Sequence, residues 1–332
     1  MRKTLIDVGK DIFIAFVIVM IAMGILFAYC RIWPPMVVVE SGSMQRYDDR
    51  SVVGVIDTGD MVFVKSIGGT DDLTTYVDGE GSYLKYGTYG DVVIYRPNGE
   101  TERLDGSRVV PIIHRLVVWL DVNESRVNPD LGAIDYDNYT FDVPSLSMYG
   151  TLDDIVLTDY GYWKDDVTIS LGGLLNYYMA VGKAPHGGYI TMGDHNVPAY
   201  DQPSSGSYEP VLPEWIVGKA IGELPWFGLI KLSVTGANLQ GVPGNSWTYL
   251  IVTLSLLLLV PFLMDMLMPW VRKRRRKAAL EVGEGKKPEQ GEAGASPEEK
   301  AEPLVETGDD GEEEPSPAPK DERPGIQTQE GK

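Results

Sequence analysis

Two long stretches of the chain, within residues 12–32 and residues 247–270, are almost uniformly apolar. A helix needs about 20 apolar residues to cross the hydrocarbon core of a bilayer. The second stretch begins with tryptophan and tyrosine and ends with tryptophan, as expected of residues at the two membrane interfaces. The pattern therefore predicts an N-terminal transmembrane anchor and a second transmembrane helix.

The alternative for the first stretch is a cleavable signal peptide. Its apolar run is longer than the apolar region of a signal peptide, and the sequence AYCRIWPP (28–35) that ends it has no A-x-A-like cleavage site. We therefore expect an anchor that stays attached to the protein.

The segment between the two stretches consists of short β-branched runs separated by Gly, Asp, Asn and Pro. It predicts a mainly β domain over residues 33–246, with an insertion of undetermined structure at about 121–185 and a short helix around 171–182. The runs that predict strands are 36–39, 51–56, 61–67, 91–96, 108–120, 189–192 and 216–224.

The basic sequence RKRRRK (272–277) follows the second apolar stretch. By the positive-inside rule it holds this end of the helix in the cytoplasm. With both termini cytoplasmic, the main domain lies on the extracytoplasmic side of a multi-pass cell-membrane protein. The predicted order is a cytoplasmic N-terminus (1–11), an anchor (12–32), the domain (33–246), a second transmembrane helix (247–270) and a cytoplasmic tail (271–332).

The net charge of −19 is concentrated in the tail. From Ala278 onwards there are 16 Asp and Glu against 6 Lys and Arg, and no aromatic residue. Such a segment buries too little apolar surface to fold, so we expect an acidic, disordered tail. An acidic chain without a Gly-rich phosphate loop also argues against nucleic acid as a partner.

Metal ligands are sparse in the sequence. The chain has one cysteine, Cys30, and three histidines that are far apart in sequence and form no Cys/His cluster. We therefore expect no metal and no cofactor.

Candidate nucleophile chemistry follows the run MVVV (36–39), in the motif SGSM (41–44). Gly42 permits a sharp turn that exposes the hydroxyl of Ser43, whose own N–H, with the hydroxyl of Ser41, could stabilise an oxyanion. Taken alone, the motif favours an ordinary strand-ending turn. If the serine is catalytic, the preceding run can pair with an extended substrate by strand addition. The candidate substrate-binding residues are Met36, Val37, Val38, Val39, Gly42 and Met44.

A serine nucleophile needs a base. His114 lies in an otherwise apolar strand pattern, where it is either a satisfied core histidine or a general base. Lys65 is the rival base, since a desolvated lysine can form a Ser–Lys dyad. The loop GDHNVPAYDQ (193–202) offers Asp194 and Asp201 as groups that could orient the imidazole.

Together, these features resemble a type I signal peptidase of the archaeal and endoplasmic-reticulum kind. The resemblance covers most of residues 36–232, and a histidine in place of the lysine of the bacterial kind makes it more specific. The matching motifs are SGSM (41–44), TGDMVFV (58–64), GDVVIY (90–95), IIHR (112–115), GDHNVPAYDQ (193–202) and GKAIGELPWFGLIKL (218–232).

The resemblance implies that Ser43 is the nucleophile, His114 the general base and Asp201 the third catalytic member. It implies that Asp194 is a second important acidic residue and that the hydroxyl of Ser41 helps to stabilise the oxyanion. It also implies a signal-peptidase-like β fold flanked by the transmembrane helices. The activity implied is removal of signal peptides, with small residues preferred before the cleaved bond and no metal required. Expected partners are the signal peptides of secretory preproteins and the lipid bilayer, with the protein translocation channel as a further candidate.

The chain departs from the family pattern at three places. The family often has proline two residues after the methionine of the serine motif, where this chain has the sequence Gln45-Arg46 after Met44. Residues 48–57 are additional, and the two aspartates of the loop 193–202 are one residue further apart than expected. Two alternative functions remain open. One is a catalytically inactive, membrane-anchored β domain that acts as a receptor or assembly factor. The other is a membrane serine protease for a dedicated surface-protein precursor.

Overall fold

The structure is a computed structural model, and five segments of the chain lie outside what it describes. It describes residues 2–123, 134–202, 208–236 and 239–284, with the backbone alone for 2–8, 265 and 270–284. The predicted disordered tail therefore lies almost entirely outside the described residues.

The fold is mostly antiparallel β-sheet, as the sequence predicts. Its strands are β1 (Met36–Val38), β2 (Met61–Lys65), β3 (Leu84–Lys85), β4 (Thr88–Tyr89), β5 (Val92–Tyr95), β6 (Ile112–Val122), β7 (Phe141–Val143), β8 (Met148–Thr151), β9 (Ile155–Tyr160), β10 (Asp165–Ile169), β11 (Gly188–Met192) and β12 (Ile216–Leu224). Its helices are α1 (Arg2–Cys30), α2 (Tyr76–Gly79), α3 (Leu171–Val181), α4 (Gly228–Thr235) and α5 (Ser246–Glu284).

Eight of these strands form one sheet, in the order β1-β2-β12-β5-β6-β7-β8, and β11 also pairs with β6. The pairs β9-β10 and β3-β4 form separate two-stranded sheets. β6 is the longest strand, and its IIHRLVVWLDV sequence is mostly buried, as expected of a β-branched strand in the middle of a sheet. It pairs with β5, β7 and β11 and so brings distant parts of the chain together.

The insertion at 121–185 folds as part of the domain rather than as a separate segment. It contributes β7 to β10 and α3, whose apolar residues share a core with β6. The predicted helix at 171–182 is confirmed as α3. Its start is capped by Ser170, whose hydroxyl accepts from the N–H of Gly173, and it ends at Gly182 in the left-handed region at φ 68°. Residues 124–133 of the insertion lie outside the described residues.

The predicted strand at 51–56 is wrong. The N–H of Val55 donates to the carbonyl of Val52 at 3.2 Å, and Gly54 has a φ of 90°. The carboxylate of Asp57 accepts from the N–H of Val52 at 2.9 Å. These local hydrogen bonds fold residues 52–57 into a turn. The pattern of apolar residues does not indicate such bonds.

Both predicted apolar stretches form helices that are long and apolar enough to cross a membrane. The candidate spans are Gly9–Cys30, of 22 residues, and Ser246–Pro269, of 24 residues. Almost none of either span is buried within the protein, so neither is a core helix of the β domain. The side of the membrane on which the domain lies remains a prediction.

Two carboxyl groups, that of the buried Asp60 and that of the half-buried Glu223, connect β12 and α4 to the turns before β2. Asp60 accepts from the N–H of Trp226, just before α4, and from the N–H of Asp57, each at 2.8 Å. Glu223 at the end of β12 accepts from the N–H of Gly54, and its other oxygen is buried without a partner among the described residues. Burial raises the pKa of Asp60 to about 7 and that of Glu223 to about 8.

The raised pKa of Glu223 predicts how its replacement changes stability with pH. The folded state binds the proton of the Glu223 carboxyl more tightly than the unfolded state does. The stabilisation that the protonated carboxyl gives to the folded state is therefore complete below its ordinary pKa of 4.5 and is lost as pH rises through about 8. Glu223→Gln cannot ionise, so it should match the parent protein at about pH 4 and be more stable at about pH 9. Thermal unfolding in detergent measures this, with the exposed Glu214→Gln as control. An identical pH dependence in parent and Glu223→Gln would contradict it.

Candidate active site

Ser43 lies in a tight turn directly after β1. The N–H of Val39 donates to the carbonyl of Asp60, and the carbonyl of Val39 accepts from the N–H of Gly59, each at 3.0 Å. These two bonds hold the end of the strand. The N–H of Gln45 then donates to the carbonyl of Gly42 at 3.1 Å and closes the turn. The serine therefore stands on a fixed backbone at the end of an edge strand.

Gln45 packs beneath this turn. Its side chain is buried, and its carbonyl oxygen accepts from the hydroxyl of Thr58 at 3.1 Å. A Cβ on Gly42 would lie only 2.9 Å from the Gln45 amide, so the glycine allows the side chain to fit there. The glutamine thus supports the turn from below.

His114 is buried on β6, opposite Val93 of β5. Its Nδ1 lies 2.6 Å from Oδ2 of Asp201. Because the carboxylate oxygen accepts, Nδ1 carries the proton in the neutral imidazole and Nε2 is left as an acceptor. The imidazole therefore has the tautomer that a general base requires.

The same oxygen of Asp201 accepts two further hydrogen bonds. The hydroxyl of Tyr95 donates to it at 2.8 Å and that of Thr191 at 2.6 Å. Burial, with the neighbouring Asp201, raises the pKa of Tyr95 well above its usual value, so Tyr95 remains a donor. The carboxylate is thus held by donors from β5, β6 and β11.

The loop that begins at Gly193 brings the serine turn and the imidazole together. The N–H of His195 donates to the carbonyl of Ser43 at 2.9 Å. A Cβ placed on Gly193 would lie 2.4 Å from that carbonyl oxygen and 2.9 Å from Nε2 of His114. The backbone of Ser43 and the free nitrogen of the imidazole therefore border the same glycine.

Ser43, His114 and Asp201 all line one cleft, of about 700 Å³, that runs along β1. The hydroxyls of Ser43 and Ser41 are 3.3 Å apart. In the described part of the chain, the hydroxyl of Ser43 hydrogen-bonds Ser41 and not His114, and the N–H of Ser43 donates to no acceptor. The cleft is otherwise mainly apolar, with β1 and the residues Ile94, Val110, Pro111, Ile112 and Ile113 in its wall.

Asp194 lies apart from the imidazole and pairs with Arg115 instead. The guanidinium donates to both carboxylate oxygens, at 2.7 and 2.6 Å, and also to the carbonyls of Tyr89 and Gly90. Arg115 is completely buried. Of the two candidate aspartates, the one that orients His114 is therefore Asp201, and Asp194 holds the start of the loop.

Three other candidates differ from the sequence prediction in where they lie. Met44, predicted to bind substrate, is only 1% exposed and packs in the core cluster around β1, β2 and β5 rather than in the cleft. Gly42 faces Gln45 and is not part of the cleft wall. Lys65, the rival base, lies with its ammonium 5.0 Å from the ring of Tyr29 and does not line the cleft. Met36, Val37, Val38 and Val39 do line it.

Sequence reasoning missed the residues that support the site. Tyr95, Thr191 and Gln202 form a buried network around the catalytic candidates, in which the side-chain carbonyl of Gln202 accepts from the N–H of Thr191 at 2.9 Å. For Tyr95 and Thr191 the one signal in the sequence is a hydroxyl group in an otherwise apolar strand, and Gln202 lies in the loop 193–202 and has no such signal. Buried polar groups need partners, so such residues mark a hydrogen-bond network, but the pattern cannot say which one.

The described residues contain no group of three His, Cys, Asp or Glu side chains that could hold a metal ion. Comparison with protein-family models, curated proteins and solved structures finds no match to this chain. A hydroxyl, an imidazole oriented by a carboxylate, and an apolar cleft suit acyl transfer through a serine.

Gly193→Ala should nearly abolish any activity of this site. A Cβ 2.4 Å from the Ser43 carbonyl forces the backbone to move. Misplacement of reacting groups by about 1 Å can cost about 100-fold in rate. Gly172→Ala in α3 is the matched control, since its Cβ would make an ordinary contact at 3.7 Å. Equal activity in the two variants would show that Gly193 does not set the geometry.

Replacement of Asp194 should mainly reduce stability, and replacement of Asp201 should mainly reduce activity. Asp194→Asn leaves the buried Arg115 without its carboxylate, so we expect a loss of about 3–5 kcal/mol in the free energy of unfolding. Asp201→Asn should reduce activity by about 10²–10⁴-fold, because the neutral amide cannot stabilise the imidazolium and its NH2 group favours the wrong tautomer of His114. Denaturant unfolding and activity measured on both variants test this, and the reverse pattern would contradict it.

Proposed function

We propose that this protein is a membrane-bound serine endopeptidase that removes N-terminal signal peptides from exported preproteins, as type I signal peptidases of the archaeal and endoplasmic-reticulum kind do. The observation that carries the proposal is that Ser43 and the hydrogen-bonded pair His114–Asp201 border one apolar cleft. The two helices that could span a membrane support anchoring beside membrane-inserted substrates.

In the proposed reaction, His114 is the general base. Nε2 takes the proton of the Ser43 hydroxyl as Oγ attacks the carbonyl carbon of the scissile bond, and a tetrahedral intermediate forms. The imidazolium then gives its proton to the leaving amine, and the acyl-enzyme remains. Asp201 stabilises the imidazolium and does not itself become protonated. Water activated by the same histidine releases the signal peptide.

The oxyanion is stabilised at the serine turn. The N–H of Ser43 has no other acceptor among the described residues, so it can donate to the developing charge. The hydroxyl of Ser41, 3.3 Å from that of Ser43, can rotate from its neighbour to the same oxyanion. The two donors lie on one rigid turn, which lowers the cost of reorganisation during the reaction.

The substrate is proposed to bind as an additional strand. β1 pairs with β2 alone among the described strands, so its other edge is open along the cleft. An extended peptide can form main-chain hydrogen bonds with such an edge, while alternate side chains enter the apolar wall. Backbone recognition of this kind accepts many sequences, as an enzyme for diverse preproteins requires.

One observation favours the alternative of an inactive β domain. The hydroxyl of Ser43 is hydrogen-bonded to Ser41 and not to the imidazole. The same geometry suits a resting enzyme, because catalytic hydrogen bonds are often long before substrate binds. The two readings differ in whether Ser43 is needed for proteolysis.

Cleavage of a purified preprotein by the full chain in liposomes tests the proposal. Ser43→Ala should remove cleavage completely, because no nucleophile remains. Ser41→Ala should retain the nucleophile but lose one oxyanion donor, with a loss of about 10²–10³-fold in kcat. Both variants should keep the unfolding temperature of the parent. Full activity in Ser43→Ala would exclude the proposed mechanism, and no cleavage by the parent protein would favour the inactive domain.

A further inference from the structure

α4 is held between β1 and the first turns of α5. Leu229 and Leu232 of α4 are buried in a cluster with Leu250 of α5. Val38 of β1 and Leu254 of α5 pack against the same cluster. The wall of the cleft, α4 and the start of the second apolar helix thus form one packed unit.

The length of α5 fixes the depth of this contact in a bilayer. The basic sequence 272–277 marks one end of the apolar stretch. A crossing of the hydrocarbon core takes about 20 residues, so counting back from Arg272 places the other boundary near residue 252. Leu254 then lies within the hydrocarbon, and Leu250 lies at its border. α4, which packs against both, lies at the same level.

α1 gives a second, independent reference. Its candidate span ends at Cys30, whose carbonyl accepts from the N–H of Ser66 at 2.8 Å. The end of β2 at Lys65 is therefore at the membrane boundary as well. At its other end, β2 begins beside Asp60, whose carbonyl would be 2.8 Å from a Cβ on Gly228 at the start of α4. β2 and its partner β1 therefore run between the end of α1 and the start of α4.

Two of the exposed side chains of α4, Ile230 and Val234, are aliphatic. Ile230 is 49% exposed and Val234 is 84% exposed. Residues four apart lie on the same side of a helix, so these two side chains form one patch. An exposed aliphatic patch at the depth of a membrane boundary favours contact with lipid over contact with water.

We propose that α4 is an interfacial helix whose outer face, Ile230 and Val234, enters the boundary between the headgroups and acyl chains of the bilayer. β1 and the cleft beside it then lie along the membrane surface rather than projecting away from it. The inference rests on the proposed crossing of the membrane by α1 and α5, and it specifies where the proposed active site meets its membrane-inserted substrates.

Nitroxide labels measure this depth directly. Single cysteines at Ile230 and Val234, in a Cys30→Ala background, are labelled in the full chain reconstituted in phosphatidylcholine liposomes. Collision rates with oxygen, which concentrates in lipid, and with a polar nickel complex, which stays in water, are then compared. Leu258, a fully lipid-facing position in the span, and Val156, exposed on β9, are the reference sites.

The expected oxygen-to-nickel ratio at 230 and 234 is severalfold higher than at Val156 and lower than at Leu258. A ratio equal to that at Val156 would overturn the proposal. Shielding from both reagents would mean that another protein covers α4 and would overturn it too. If Cys30→Ala does not fold, the same variants in the parent chain serve, since the thiol of Cys30 is buried.

The label experiment and the proposed function fail in different ways. A water-exposed label at Leu258 would refute the crossing of the membrane by α5 and, with it, the position of α4. Persistent cleavage by Ser43→Ala would refute the catalytic mechanism without changing any label ratio. Depth and proteolysis are therefore tested separately.

Discussion

The carboxylate of Asp201 is the group on which the candidate site depends. A buried charge is costly unless hydrogen bonds replace the water it has lost. Here one oxygen accepts from His114, Tyr95 and Thr191, which come from three different strands. The sheet must therefore be correctly assembled for the carboxylate to be satisfied, and a satisfied carboxylate holds the imidazole in one orientation. Correct assembly of the sheet is therefore also what orients the candidate base.

A second buried pair acts beside the first. Arg115 follows His114 on β6, so its side chain points to the opposite face of the strand, where it binds Asp194. The loop 193–202 is thus attached to β6 at both ends, by Asp194 on one face and by Asp201 on the other. Gly193 lies between the imidazole and the serine turn because the loop is fixed in this way. One strand therefore positions both the base and the loop that brings it close to the nucleophile.

Features that depend on local pattern could be predicted from the sequence, and features that depend on tertiary contacts could not. The two apolar helices, the six strands β1, β2, β5, β6, β11 and β12, and α3 follow from hydropathy and turn residues, whereas the other six strands were not predicted. His114 stood out because a polar residue is rare in an apolar strand, and Ser43 was singled out only in combination with it. The choice between Asp201 and Asp194 needed the register of the sheet. The strand expected at 51–56 failed because hydrogen bonds from a nearby aspartate close a turn there. The burial of Met44 likewise depends on packing between strands.

The order of the candidate residues along the chain also bears on how the protein is made. Ser43, His114 and Asp201 are separated by most of the domain, so no nascent fragment that ends before residue 201 contains the complete site. α1, which is long and apolar enough to cross a membrane, precedes all three residues in the chain. The candidate site can therefore form only after β5, β6, β11 and the loop that follows β11 have all been synthesised and paired, because its three residues meet only in the assembled sheet.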